Sequence, residues 1–585
     1  MKTGKNFARV AVTAGLTAAM ALGNVVAPAA MALADTGSTV TFADADYAAS
    51  TTYKGMQIFK AKVTTDGATT VSNIDWASND VEAAVLEAIR AKDSTFTSDL
   101  AQDAADWLNE HAEVAKTDSK VASDNVLSLI AAKLDGKGGW QTTTAGSPSL
   151  FGLEAGYWLF LTATAGKPDG KSTDGFTSPV YAVIDGVNST TVTPKKDVPT
   201  VEKKILDDAD AAGVADIKVS KGWKDVADSQ IGQEVNYRLT GTIASNYTTF
   251  STYAYKFTDV LSGGLDYVDD SVEVYALNGG TYSQIDASKY DVTCANNTLT
   301  VEFKVGDGKK GLKDVAGVDA NTQIVVFYRA KLNGSAVIGN ATDGNKGGNP
   351  NTVTLTYSNN PYAGGTGTTI EDTVADFAFK LNLNKVDQGT EKGLAGAVFT
   401  IQSDDANTAR QYVASKDAAS VVAGQLVTVD DAKNLPDYVK FTSGEDGKIT
   451  VPGLDAGSYK VTELRTPDDS KYTKANPFTF TIKADYDETA MKVTNLTAAV
   501  SESDKGRTDI AFGTLDGTAG DHTLTGTGGT DAAAGEVTIN VGNAKSVGLP
   551  ITGLDGVTLT WVAGGAVLVI GVAHLIRSRR EESEE

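Results

Sequence analysis

The chain has 585 residues, a formal net charge of -23, three histidines and one cysteine. Acidic residues spread along the whole length exclude a nucleic-acid partner, whose phosphates need a basic surface, and suit solubility at a cell surface. The lone Cys294 excludes an intrachain disulfide and, in Asp291-Val292-Thr293-Cys294, reads as a buried apolar thiol. His111, His522 and His574 lie too far apart for zinc-ligand spacing, and no phosphate-binding glycine loop, GxSxG elbow or Cys/His pair occurs. No metal, cofactor or conventional catalytic site is therefore expected.

At the amino end, Lys2, Lys5 and Arg9 precede an Ala-rich apolar run from Val10 to Leu33, and Ala32-Leu33-Ala34 fits a small-x-small cleavage site. Residues 1–34 read as an export signal, so the mature, secreted chain is expected to start near Asp35. The mature chain is too long for one core and implies three or four domains. Residues 35–193 read as a mixed domain. Strands are expected at Thr52 to Val63, Gly156 to Ala163 and Val180 to Ile184. Between them the 3.6-residue spacing of Val81, Val85, Leu86 and Ile89, of Leu100, Ala104, Trp107 and Leu108, and of Val126, Leu127, Ile130 and Leu134 predicts a helical insert. Asp80 is expected to open the first of these helices, and Thr97, Ser98 or Asp99 to cap the second.

Val198-Pro199 marks a boundary. Residues 194–362 are nearly all strand by pattern, with β-rich runs at Val235 to Leu239, Tyr253 to Phe257, Val272 to Tyr275, Leu299 to Phe303, Ile324 to Ala330 and Val353 to Tyr357. Short strands punctuated by Gly, Asn and Asp predict a β-sandwich. Residues 363–373, with Ala363-Gly364-Gly365-Thr366-Gly367-Thr368, read as a linker. A second β-rich domain, 374–545, opens with Phe377 to Lys385 and closes with Val537 to Asn543. The fold class is thus mainly β: tandem immunoglobulin-like sandwiches, the first domain carrying the helices.

Alternate residues of a strand share a face. Phe377, Phe379, Leu381 and Leu383 put Lys385 on the core face; Tyr459 and Val461 do the same for Glu463, and Val537, Ile539 and Val541 for Asn543. Upstream, Val201 and Ile205 flank Lys203, Tyr255 and Phe257 precede Asp259, and Val353, Leu355 and Tyr357 precede Asn359. Lys204 and Asn360 are the adjacent alternatives. Buried polar groups of this kind are costly if left unreacted. A buried lysine loses its charge and becomes a nucleophile, while a buried carboxylic acid, held protonated, can polarise an Asn carbonyl and help ammonia leave. The expected products are Lys203–Asn359 and Lys385–Asn543 amides promoted by Asp259 and Glu463, which need no oxidant or cofactor.

At the carboxyl end, residues 546–585 hold Leu549-Pro550-Ile551-Thr552-Gly553, an apolar run from about Val557 to Ile576, and Arg577, Arg579 and Arg580. The run is long enough to cross a bilayer and the arginines suit its cytoplasmic end. The five-residue motif resembles the LPxTG signal that Gram-positive sortases cut between Thr and Gly. Further motifs resemble a sortase-assembled major shaft pilin of the SpaA-like fimbrial type. Lys385-Val386-Asp387 with Gly396-Ala397-Val398-Phe399 resembles the opening of a CnaB-type domain, and Gly457-Ser458-Tyr459-Lys460-Val461-Thr462-Glu463-Leu464-Arg465-Thr466-Pro467 resembles the pilin E-box, with Leu464 and Thr466 departing from it. Val198-Pro199-Thr200-Val201-Glu202-Lys203-Lys204 and Tyr357-Ser358-Asn359-Asn360-Pro361 resemble the two ends of the isopeptide-forming, CnaA-like second domain. In the first domain, Gly152 to Trp158 resembles the turn before an E-box, but no glutamate comes after it.

The resemblance implies a fibre subunit on the cell surface, anchored in the wall and not an enzyme beyond single-turnover bond formation. Thr190-Thr191-Val192-Thr193-Pro194-Lys195-Lys196 is similar to the family's linkage motif, with Thr193 for its aromatic residue and Lys196 for its Asn. It implies that a sortase joins the Thr552 carboxyl of one subunit to Lys195 of the next, with Lys196 as the alternative amine. Implied partners are further copies of the chain, pilus and housekeeping sortases and peptidoglycan, with minor pilins and host or matrix receptors as additional candidates. A monomeric wall-anchored adhesin is the alternative reading.

Overall fold

The computed structural model describes residues 37–64, 69–112, 121–212, 214–340, 347–405, 410–518 and 522–546. The expected export signal and the sorting motif Leu549, Pro550, Ile551, Thr552 and Gly553 with its apolar run lie outside them. Among the described residues no helix is long and apolar enough to cross a membrane.

The described chain is mainly β. In the first domain the strands Thr70–Trp76, Thr52–Thr64, Gly156–Thr164 and Val180–Ile184 lie in that order in one sheet, and Ser149–Leu153, Ser38–Phe42 and Thr190–Val192 form a second. The helices Asn79–Lys92, Ala101–His111 and Val126–Leu134 pack Val85, Ile89, Ala104, Leu108, Ile130 and Leu134 into one core with Ile58, Leu159 and Leu161. The first helix begins slightly earlier than Asp80 because Ser78 accepts a hydrogen bond from the Val81 amide at 3.3 Å. The second is entered at Leu100 with no side-chain cap bond; the Ser98 hydroxyl instead bonds Asp103 at 2.6 Å.

The middle domain is a two-sheet sandwich. One sheet runs Trp223–Lys224, Val201–Leu206, Glu234–Gly241, Gln323–Leu332, Glu273–Asn278, Thr281–Gln284, and the other runs Val226–Asp228, Asp372–Phe377, Asn349–Ser358, Tyr255–Leu261, Thr298–Phe303, Asp291–Ala295. The last of these is an edge strand that pairs only with Thr298–Phe303 and covers no core, so Cys294 is exposed rather than buried. The segment expected as a linker also differs. Thr366–Thr368 pairs with Thr356 to Ser358, and Asp372–Phe377 pairs on one side with Asn349 to Val353 and on the other with Val226 to Asp228. Its glycines serve turns, Gly364 and Gly365 having φ +78° and +120°, so composition alone mimicked a tether.

The third domain begins at Phe379 and is again two sheets: Lys448–Leu454, Phe379–Asp387, Glu536–Asn543 and Ile510–Phe512 in one, Val398–Ser403, Ser458–Arg465, Phe478–Asp487 and Lys492–Val500 in the other. Its first and last strands are parallel neighbours, with Lys385 opposite Val541 and Asp387 opposite Asn543.

Because Val374 and Ala378 are fully buried in the middle core, a fragment covering 198–362 should melt roughly 4–8 °C below one covering 198–378, the scale of a loss of ~2 kcal/mol of apolar burial. Equal calorimetric transitions in the two fragments would refute the assignment of 366–377 to the sandwich.

Candidate functional site: buried lysines, acids and asparagines

Strand parity turns Lys203 inward between Val201 and Ile205, where its side chain has no solvent exposure. Its Nζ donates to Asp259 Oδ1 and Oδ2 at 2.5 and 2.6 Å and to the Tyr328 hydroxyl at 2.9 Å, and it lies 5.3 Å from the ring centres of Tyr237 and Tyr328. Burial pushes its pKa down to about 8, against the opposing pull of Asp259. Lys204, on the other face, is part-exposed and paired with Asp225 at 2.5 Å.

The amide meeting Lys203 is not the expected Asn359. Asn351 Nδ2 donates to the same Tyr328 hydroxyl at 2.6 Å, and its Oδ1 is buried without a hydrogen-bond partner. Tyr328 in turn donates to Asp259 Oδ2 at 2.5 Å, so one hydroxyl gathers lysine, acid and amide. The physical reason is register. Asp259 faces Val353, and Leu261 faces Asn351. Asn359 lies beyond the far end of that pairing, six residues from Val353, roughly 20 Å along a strand. Its Nδ2 donates instead to the Asp174 carbonyl of the first domain at 3.2 Å. Asn360 Oδ1 accepts from the Tyr362 and Ala363 amides in a turn. Parity could not discriminate here, since Asn349, Asn351 and Asn359 all share the buried face with Val353, Leu355 and Tyr357. Tyr328 gives no signal in the sequence because a Tyr in an apolar strand looks like core.

In the third domain the structure brings Lys385, Glu463 and Asn543 together, all buried. Asn543 Nδ2 donates to Glu463 Oε2 at 2.9 Å and to the Thr473 carbonyl at 2.9 Å. The Ala475 amide also donates to Glu463 Oε2, at 2.7 Å. Lys385 Nζ lies 4.0 Å from Glu463 Oε1 and donates to the Val541 carbonyl at 2.9 Å. Glu463 Oε1 and Asn543 Oδ1 have no hydrogen-bond partner. Burial pushes Lys385 down to about 8, with Glu463 opposing. Each sandwich therefore holds an amine whose pKa burial lowers, a carboxyl group and a primary amide whose carbonyl oxygen is unpaired: the groups required for amide exchange with loss of ammonia.

Between the first two domains, Lys195 is pinned through its backbone. Its amide donates to Thr177 Oγ1 at 2.7 Å and its carbonyl accepts from the Ser178 amide at 2.8 Å. Its side chain is half-buried and makes no ion pair or hydrogen bond among the described residues. Lys196 points the other way, into Asp44 and Asp174, with only 10% of its side chain exposed. Thr552 lies outside the described residues.

Residues 379–497 match the family model of the SpaA prealbumin-like fold domain, and residues 231–361 that of the Gram-positive pilin backbone subunit 2, Cna-B-like domain. Two segments of the chain are therefore similar to family models, the second of them a Gram-positive pilin backbone model. It is 24% identical over 324 residues to the trypsin-resistant surface T6 protein of Streptococcus pyogenes serotype M6, covering 49% of this chain and 52% of that protein. The chain thus spans about half the length of this curated relative. Solved structures it matches include the T6 backbone pilin of serotype M6 Streptococcus pyogenes, at TM-score 0.47 and 14% identity over 88% of this chain and 100% of that one. Another is the full-length major pilin SpaD from Corynebacterium diphtheriae, at TM-score 0.42 and 15% identity over 88% and 98%.

An Asn543→Ala protein retains the buried, unreacted Lys385, whose folded pKa of about 8 lies below the unfolded 10.5. The unfolded state then binds more protons between those values, so stability rises with pH across that window, by at most about 3 kcal/mol, and is lost again as pH falls through 8. Chemical denaturation from pH 7.5 to 10 should show this rise in the variant and not in the wild type. Parallel pH profiles would show that Lys385 is not held as an unreacted, desolvated amine.

Proposed function

We propose that the chain is the backbone subunit of a covalently linked surface fibre, with its sandwiches closed by Lys203–Asn351 and Lys385–Asn543 amide bonds. The observation that carries the reading is the convergence, in two successive sandwiches, of a buried lysine and a buried asparagine around a buried acid. In each, the lysine amine attacks the Asn side-chain carbonyl carbon. Asp259, with the Tyr328 hydroxyl, or Glu463, carrying a proton, donates to the developing oxyanion; it gives a proton to the departing ammonia and takes back the one that the attacking nitrogen sheds, so the acid ends as it began. The amine, the acid and the amide are used once, so the chain acts as its own substrate and turns nothing over. The pilin-class domains and the T6 relative support the same reading, as do the expected export and sorting segments.

Polymerisation needs a free amine near one end and an activated carboxyl at the other. Lys195 suits the first role. Pro194 fixes the approach of the chain, the backbone on both sides of the lysine is hydrogen-bonded, and its ammonium is uncommitted. Lys196 is engaged by two carboxylates and is the poorer acceptor. Attack by Lys195 on the Thr552 carboxyl held by a sortase joins subunits head to tail. Such a heterologous contact does not close into a ring and so grows as a fibre. The secreted, wall-anchored location and the sortase and peptidoglycan partners belong to this proposal.

Intact mass of the wild-type ectodomain should fall short of the calculated value by one ammonia for each of these two bonds. Asn351→Ala and Asn543→Ala should each restore one, whereas Asn359→Ala should restore none. A full calculated mass in the wild type, or restoration by Asn359→Ala, would overturn the bond assignment.

In cells carrying the cognate sortase, Lys195→Ala should abolish the high-mass ladder on denaturing gels of wall extracts, and Lys196→Arg should retain it. A ladder that survives Lys195→Ala would favour the monomeric adhesin reading if it also survives loss of the sortase, and another acceptor lysine if it does not.

A further inference from the structure

Lys196 was the less suitable linkage lysine, but its surroundings are built as closely as those of the two triads. It leaves the last strand of the first domain and turns its amine into a chamber formed by Asp44, just after the first strand, Asp174, in the loop before Val180–Ile184, and the rings of Tyr47 and Tyr53. Asp44 Oδ2 lies 2.8 Å from Nζ, Asp174 Oδ2 is the second ion-pair partner, and the Tyr47 and Tyr53 ring centres are 5.0 and 5.5 Å away. The Asp174 side chain is 2% exposed and that of Asp44 7%. One amine facing two carboxylates leaves an uncompensated negative charge in a dry site, which favours placing a proton on one of the acids.

We propose that Lys196 and Asp174 join in a third intramolecular amide bond, formed with loss of water. Asp174 is the better electrophile. Each of its oxygens is already held by a donor, Oδ2 by the Thr51 hydroxyl at 2.6 Å and Oδ1 by the Gly175 amide at 2.8 Å. Burial holds its carboxyl above the ordinary range, with the Asp44 charge adding to the effect and Lys196 opposing it. Asp44 accepts from Nζ and from the Tyr53 hydroxyl, and serves as the proton carrier.

The step balances. The Lys196 ammonium gives one proton to Asp44. The free amine attacks Cγ of Asp174, with Gly175 N–H stabilising the oxygen that becomes the amide carbonyl. Oδ2 leaves as water, carrying two of the three ammonium protons, one of them returned by Asp44. The third proton stays on the new amide nitrogen. An ammonium and a carboxylate become a neutral amide and water, and no oxidant or cofactor takes part.

The bond has a mechanical consequence, because Asp174 lies in the loop that docks the middle sandwich. The Thr173 amide donates to the Thr368 carbonyl and the Phe176 amide to the Asn359 carbonyl, each at 2.8 Å, and Asn359 Nδ2 donates to the Asp174 carbonyl at 3.2 Å. A Lys196–Asp174 amide would tie the interdomain connector to this loop one residue away from Lys195.

Tandem mass spectrometry of a digest of the secreted wild-type chain tests it. The expected result is a branched peptide joining Lys196 to Asp174 and lighter by one water. This signature differs from the ammonia losses at Lys203 and Lys385, so the outcome is independent of those bonds. Lys196→Arg keeps the charge and cannot form the amide. Its intact mass should regain the water, and the domain should unfold several-fold faster than wild type in denaturant. Linear peptides in which trypsin has cleaved after Lys196, or a branch from Lys196 to Asp44, would overturn the proposal.

Discussion

A primary amine cannot be placed in a dry protein core at low cost, and the architecture of both C-terminal sandwiches follows from having done so. Lys203 and Lys385 have no exposed side-chain surface. An isolated buried ammonium would be driven to lose its proton, and a fully paired one would still carry a desolvation penalty that its partner repays only with excellent geometry. The structure answers with an acid, an amide and, in the middle domain, two tyrosine rings. What is left over is an asparagine carbonyl without a donor beside an amine whose pKa burial lowers. Each such unpaired buried group costs about 1–3 kcal/mol, a cost that the proposed amide bonds would relieve.

The two sites solve the same chemical problem with different topology. In the third domain lysine and asparagine stand on neighbouring parallel strands of one sheet, the first and last of the domain, with Lys385 opposite Val541 and Asp387 opposite Asn543. A bond there closes the chain's two ends on each other. In the middle domain Lys203 belongs to one sheet while Asp259 and Asn351 belong to the other. A bond there crosses the core and holds the sheets together. Tyr328 reaches across from the Lys203 sheet to touch the acid and amide of the opposite one, which is why a hydroxyl appears at this site and not at the other.

Much of this was legible in the sequence because β-strands have a strict period of two. Parity alone put Lys203 rather than Lys204, and Lys385, Glu463 and Asn543, on core faces. It could not give height along a strand. Asn351 and Asn359 are indistinguishable by parity, and only the register of Tyr255–Leu261 against Asn349–Ser358 separates them. Register is a property of pairs of strands, and a single sequence carries no record of it. The same gap explains the glycine-rich stretch near residue 365, where turn chemistry within a sheet and tether chemistry between domains share a composition. Cys294 shows the converse error. It reads as a buried apolar thiol, but it lies exposed on an edge strand. Lys196 was legible only as a charge beside Lys195, since Asp44 and Asp174 are far from it in sequence.

The covalent closures proposed inside the domains would shift compliance to the joints between them. The first joint is a few backbone and side-chain hydrogen bonds between the 172–176 loop and the end of the middle sheet. The second is built differently. The Ile231 amide reaches the Gly453 carbonyl at 3.0 Å, the Ala456 amide donates to Asp228 Oδ1 at 2.8 Å, and the Tyr486 hydroxyl donates to Asp228. Asp228 has acidic company on both sides of that joint. Burial and the Asp228 charge raise Asp207 to about 7, while Asp455 is held well above its ordinary value by burial and then by Asp228. Protons therefore take the place of cations in neutralising this cluster. The second joint is stitched by hydrogen bonds, whereas the closures proposed inside the sandwiches are covalent. Under tension the sandwiches would hold their length, and extension would fall first on the joints, where single hydrogen bonds worth about 1 kcal/mol each can break and re-form.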